Sequence, residues 1–98
     1  MPLDNYPTKI ELGMIRKWPF MDEKGWLDYC LGLWTFDGWA TKRGGNYRFA
    51  TGGWSGNEDI IEAMQANMGC WMSTWRSSHR GGLYKFQIPK KRLTKTKK

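Results

Sequence analysis

Histidine, cysteine and acidic side chains are scarce in this 98-residue chain, and each shortage removes a class of function. The only histidine, His79, and two widely separated cysteines, Cys30 and Cys70, provide no pair at metal-ligand spacing. No metal and no cofactor are therefore expected. His79 has no carboxylate beside it in sequence to orient the ring, so a Ser-His-Asp set cannot be assembled. The acids Asp28, Asp37, Glu58 and Asp59 are scattered and read as caps and surface charges, which leaves no candidate catalytic residue. Two buried thiols in a reducing compartment are expected at Cys30 and Cys70, a single disulfide being the alternative. Apolar runs fall short of the roughly 20 residues that cross a bilayer, and no stretch resembles a signal peptide. A soluble, cytoplasmic protein without a membrane partner is the expectation.

What the chain has in quantity is large rings: seven tryptophans, four tyrosines and four phenylalanines. Rings bury much area per residue, so a short chain can build one core from few side chains. Seven indoles cannot all fit inside, and some should line a surface used for binding. The length suits one compact domain, placed at residues 1–88. Positive charge is the other excess, with a formal net charge of +7. Six of these charges lie in a disordered basic tail, residues 89–98, at Lys90, Lys91, Arg92, Lys95, Lys97 and Lys98. Setting those six aside leaves +1 for the rest of the chain.

Ile10, Met14 and Trp18, with Ile15 beside them, fit one face of a short helix that starts after Thr8 and ends at Pro19, an extended stretch alternating at Ile10, Leu12 and Met14 being the alternative. A second helix follows Asp22 as cap, with Leu27, Cys30, Leu31 and Trp34 as its buried stripe. Trp26 and Leu33 widen that stripe. Gly44-Gly45 then divides two stretches with strand character, which predicts a hairpin over 38–51. Pairing across the turn sets Arg43 opposite Asn46, Thr41 opposite Arg48, and Trp39 opposite Ala50. Tyr47 and Phe49 then point to the core, with Lys42 near the turn.

The longest periodic stretch carries Ile60, Ile61, Met64, Met68, Trp71, Met72 and Trp75, and predicts one helix over 56–76. Ser55 and Glu58 have the spacing of a capping box at its start, and Gly81-Gly82 stop the chain beyond it. The methionines with Trp71 and Trp75 read as core, in preference to a cofactor box. Leu83 to Ile88 alternates as a third strand. The expected fold is α+β: a small three-stranded sheet, made of the hairpin 38–51 and strand 83–88, packed by one long helix and two shorter N-terminal ones.

Two loops could hold an anion. The segment Ala50-Thr-Gly-Gly-Trp-Ser-Gly-Asn-Glu-Asp59 joins a strand to a helix start, where unpaired amides and the dipole favour negative charge. It matches neither the phosphate loop nor the dinucleotide fingerprint, and Glu58 and Asp59 oppose an anion there. A helix start with a packed Trp54 is the plainer alternative. The second loop, Arg76-Ser-Ser-His-Arg-Gly-Gly82, offers hydroxyls, amides and two guanidiniums. A solvated helix end is its plainer alternative. A straight helix would hold these loops about 30 Å apart. The candidate binding residues are Lys42, Arg43, Arg48, Trp54, Ser55, Gly56, Asn57, Arg76, His79 and Arg80, with the basic tail adding nonspecific attraction.

The stretches "TGGWSGNEDIIEAM" and "CWMSTWRSSHRGGLYKFQI" resemble a family of small proteins encoded by bacteriophages and prophages. The shared features are a Trp-Ser-Gly-Asn-Glu loop, a Trp-rich helix and an Arg-Gly-Gly turn before a final aromatic strand, covering about residues 26–88. The resemblance implies a viral origin and action in a host cytoplasm, and no mechanism. The expected function is non-enzymatic binding of a nucleic acid, a nucleotide or another anionic ligand. The alternative is a protein–protein module, for instance a small inhibitor of a host protein that uses exposed Trp and Arg side chains.

Overall fold

The computed structural model describes residues 7–34 and 39–89. Residues 1–6, Gly38 of the expected hairpin and the lysine-rich tail from Lys90 lie outside them. The first helix, α1 (Lys9–Lys17), opens with a capping box at the Thr-x-x-Glu spacing of residues 8–11. Thr8 Oγ1 accepts from the Glu11 amide (3.1 Å), and Glu11 Oε1 accepts from the Thr8 amide (2.9 Å). Its buried residue is Ile15, with Leu12 half-buried beside it. Ile10 and Met14, expected inside, are exposed. The stripe Ile10–Met14–Trp18 faces a surface groove, one step around the helix from the core.

Helix α2 (Glu23–Leu33) buries Trp26, Leu27 and Cys30, and Trp34 follows at its end, as the spacing predicts. Asp22 precedes it without capping it: its Oδ2 accepts from Trp18 Nε1 (2.9 Å) instead. Both cysteines are buried and free. Burial first, then the charge of Glu23, pushes the Cys70 thiol up to about 11, so it stays protonated at neutral pH.

The single long helix is overturned. The chain forms α3 (Ser55–Ala66), breaks at Asn67, and continues as a short α4 (Met68–Thr74). Asn67 is nearly buried and fully engaged. Its Oδ1 accepts from the Cys70 amide (3.2 Å), which caps α4, while Nδ2 donates to the carbonyls of Ile15 (2.9 Å) and Trp18 (3.1 Å). One amide thus ends one helix, starts the next and satisfies two carbonyls at the end of α1. The bend turns the methionine stripe outward: Met64 is buried, but Met68 is 62 % and Met72 67 % exposed.

Trp75 and Arg76, expected to end that helix, and the residues up to His79, expected as a loop, are a strand. After β1 (Ala40–Arg43) and β2 (Asn46–Ala50), β3 (Trp75–His79) and β4 (Leu83–Gln87) form a second hairpin, turning through Arg80-Gly81-Gly82. The sheet has four antiparallel strands in the order β1-β2-β4-β3, where three were expected. The register of the first hairpin follows the sequence pairing, with Thr41 opposite Arg48 and Arg43 opposite Asn46. Tyr47, Phe49 and Phe86 point to the core. Around them Trp34 meets Phe49 (4.8 Å between centroids), and Trp71 meets Phe86 (5.3 Å, 81°) edge-on. Every described helix contributes buried side chains to this side of the sheet, so the domain has two layers and one open sheet face.

Candidate functional site: an open basic sheet face

The glycine-rich loop does not present an open helix end. Trp54 is the residue that precedes α3, and its ring lies over Gly56 so closely that a Cβ there would sit 2.1 Å from Cζ3. Gly56 and Asn57 are buried. Ser55 stands one position inside the helix, and the Glu58 amide donates to the Trp54 carbonyl (3.1 Å), so the expected Ser55 cap is displaced. Two of the loop amides are spent internally: Trp54 N–H bonds the Thr51 carbonyl (3.1 Å) and Gly53 N–H bonds Thr51 Oγ1 (3.3 Å). Gly52 and Gly56 make room for the protein's own rings, Trp39 and Trp54.

The two loops, expected about 30 Å apart, are neighbours. The Thr51 amide donates to the Gly82 carbonyl (3.0 Å). Because 75–79 runs back along β4 instead of extending a helix, the cations near Arg76 join those of the first hairpin on one surface.

That surface follows from strand alternation. With Tyr47, Phe49 and Phe86 inward, the residues between them point outward. Three rows cross the strands. The first holds Arg43, Asn46 and Gln87, with Arg76 reaching in from the irregularity in β3 to donate from Nε to Gln87 Oε1 (3.1 Å). The second holds Thr41, Arg48, Lys85 and Ser77. The third holds Ala50, Leu83 and His79, and the Ala50 amide donates to the Trp39 carbonyl (2.6 Å), which brings Trp39 into the same row. Rows are about 7 Å apart and the four strands span about 14 Å.

None of the four described strands contains an acid. Arg48 stands directly opposite Lys85, a like-charge cross-strand pair that weakens a sheet. Among the described residues, no carboxylate lies within ion-pair distance of Arg43, Arg48, Arg76 or Lys85. Between β1 and β2 a depression of about 390 Å³ is lined by Thr41, Lys42, Arg43, Asn46 and Arg48. Arg80 is exposed in the adjoining turn. Ser77 Oγ and His79 Nε2 are 2.9 Å apart, and no described carboxylate orients the ring. Lys85 and Trp39 were not among the candidates. Their alternation with buried neighbours was visible, but strand β3, which completes the face, was not.

Lys42 belongs to the other side. Its Nζ bonds Asp28 Oδ1 (3.0 Å), and Asp28 also accepts from Lys24 (2.8 Å) and Tyr47 Oη (2.5 Å). Partial burial pushes this carboxyl up, but the three hydrogen bonds outweigh it and lower the pKa from 3.8 to about 2. A carboxyl lowered on folding stabilises the fold above its unfolded pKa, and that contribution disappears as pH falls from 3.8 towards 2. Asp28→Asn should therefore unfold about 1 kcal/mol more easily near neutral pH, a figure discounted for solvent around the carboxylate. Urea titrations of both proteins should show that gap closing towards about pH 2.

A second surface is apolar. Ile10, Gly13, Met14, Lys17, Trp18, Pro19 and Asp22 line a groove of about 540 Å³, and Ile10 is 76 % exposed. Beside it Met21 has φ 87°, a strained value for a side chain that points to solvent. No group of His, Cys, Asp and Glu that could hold a metal exists among the described residues, and none of the described helices is long and apolar enough to cross a membrane. Compared with protein-family models, curated proteins and solved structures, the chain matches none.

Proposed function

We propose that this chain binds nucleic acid through the outward face of its sheet. The observation that carries the reading is the Arg48–Lys85 pair, flanked by Arg43 and Arg76 with no carboxylate of the described residues in reach. Like charges placed opposite each other cost stability, and a sequence under no other demand relieves them with an acid. A polyanion relieves them on binding. The spacing, several cations over an area about 14 Å wide, suits a run of phosphates better than a single small anion. Arg43, Arg48, Arg76 and Arg80, all candidates from the sequence, act here as phosphate contacts, and His79 sits at their edge. The basic tail adds sequence-independent attraction. The resemblance to small phage proteins supports a setting in an infected host cell.

The test compares the full chain with Arg48→Ala/Lys85→Ala, measuring anisotropy of a labelled oligonucleotide across a salt series. The double variant should bind roughly tenfold or more weakly, and the slope of log affinity against log salt should fall by roughly one per lost contact. Its melting temperature should hold or rise, because a repulsive pair has gone. Unchanged affinity and slope would reject the face as the site. The apolar groove beside α1 supports a second reading, a protein partner. Capture of a host protein that survives nuclease and is indifferent to both alanines would favour it.

A further inference from the structure

We infer that the basic sheet face takes single-stranded nucleic acid in preference to duplex, with Trp39 stacking on an unpaired base. This rests on the reading that the face binds nucleic acid at all. Trp39 is 41 % exposed and shares a row with Ala50, Leu83 and His79, so its indole stands on the same side of the sheet as Arg48 and Lys85. The ring is seated on backbone. A Cβ at Gly52 would lie 1.6 Å from Trp39 Cζ3, so the indole occupies the space that a side chain at Gly52 would fill. A large ring held there, about one row from two cations, combines the two elements that single strands require: a π-face for the base and positive charge for the phosphate beside it.

The shape of the face argues in the same direction. Reading a duplex needs an element that projects into a groove, a helix or a two-stranded ribbon. Here the described helices all pack on the opposite side of the sheet, and the outward surface is formed by the strands themselves. A duplex laid across it would offer phosphates to the arginines, but its bases would remain stacked on each other and out of reach of Trp39. An unpaired strand offers both. Asn46, Gln87 and Ser77 lie among the cations and carry donors and acceptors for base edges, which only an unpaired strand exposes.

The experiment uses the full chain and a labelled mixed-sequence oligonucleotide of about 20 nucleotides, alone and annealed to its complement, at about 0.15 M salt. The single strand should bind about tenfold or more tightly than the duplex. Trp39→Ala should lose roughly 5- to 100-fold of single-strand affinity and leave duplex affinity unchanged. Trp39→Phe, which keeps a ring, should recover part of the loss, and circular dichroism must show both variants folded. Duplex binding as tight as single-strand binding, or an equal loss of both in Trp39→Ala, overturns the inference while the basic face stands. If neither form binds, or if Arg48→Ala/Lys85→Ala binds both as the parent does, the underlying reading fails instead.

Discussion

Asn67→Ala will lower the stability of the domain by about 3 kcal/mol, a drop of roughly 12–20 °C in melting temperature for a chain of this size. The side chain makes three hydrogen bonds from a nearly buried position, and alanine removes all of them. Loss of the cap on α4 alone costs about 1 kcal/mol. The rest comes from the two lost donations to α1: the Trp18 carbonyl is left with only the long Cys70 Sγ contact (4.0 Å) in a site that water reaches poorly, while the Ile15 carbonyl keeps Trp26 Nε1 (3.1 Å). Asn67→Asp discriminates between the two roles. A carboxylate can still accept from the Cys70 amide, so a residue that only capped α4 would tolerate it. Facing two carbonyl oxygens, it has no hydrogen to offer, and the aspartate should be at least as damaging as alanine at neutral pH. Chemical denaturation of the three proteins checks the order. An aspartate close to the parent would mean that the contacts to α1 contribute little.

The same residue explains where the sequence misled. From Ile60 to Trp75 the apolar spacing is continuous, and periodicity by itself reads as one helix. Periodicity reports which side chains are apolar, but not whether the axis bends between them. Asn67 has a donor and an acceptor to spend on a neighbouring element, and that tertiary use decided the break. Beyond it, Thr74 and the serines Ser77 and Ser78 are only middling helix formers, while Gly81-Gly82 is the same signal that placed the first hairpin at Gly44-Gly45. It marks a hairpin in both places. Local pairing was legible where the turn was short and the alternation clear, so the register at Arg43–Asn46 and the inward Tyr47 and Phe49 follow from sequence. The basic face was half legible. Arg43 and Arg48 lie on that first hairpin; Lys85 joins them through the pairing of β2 with β4, and Arg76 only through strand β3. The glycine loop misled for a different reason. Small residues at a helix start suit an anion and suit a tryptophan ring equally well, and only the position of Trp54 over Gly56 separates the two.

Gly52→Ala should cost about 2–3 kcal/mol and should weaken single-strand binding nearly as much as removing Trp39. Two separable effects combine. Gly52 has φ +61°, a left-handed conformation that costs an alanine roughly 1–2 kcal/mol. The added Cβ would also overlap the Trp39 ring at 1.6 Å, which drives the indole off its seat. Gly53 supplies the control. Its φ is +79°, but nothing lies within 4 Å of a Cβ built there, so Gly53→Ala should show the backbone cost alone and bind single strands as the parent does. A double-mutant cycle closes the argument. In a Trp39→Ala background the overlap has no partner, and Gly52→Ala should then cost no more than Gly53→Ala. Additive losses at positions 39 and 52 would show that the ring does not rest on Gly52. The stacking surface inferred for the basic face would then lack its support, whatever the arginines bind.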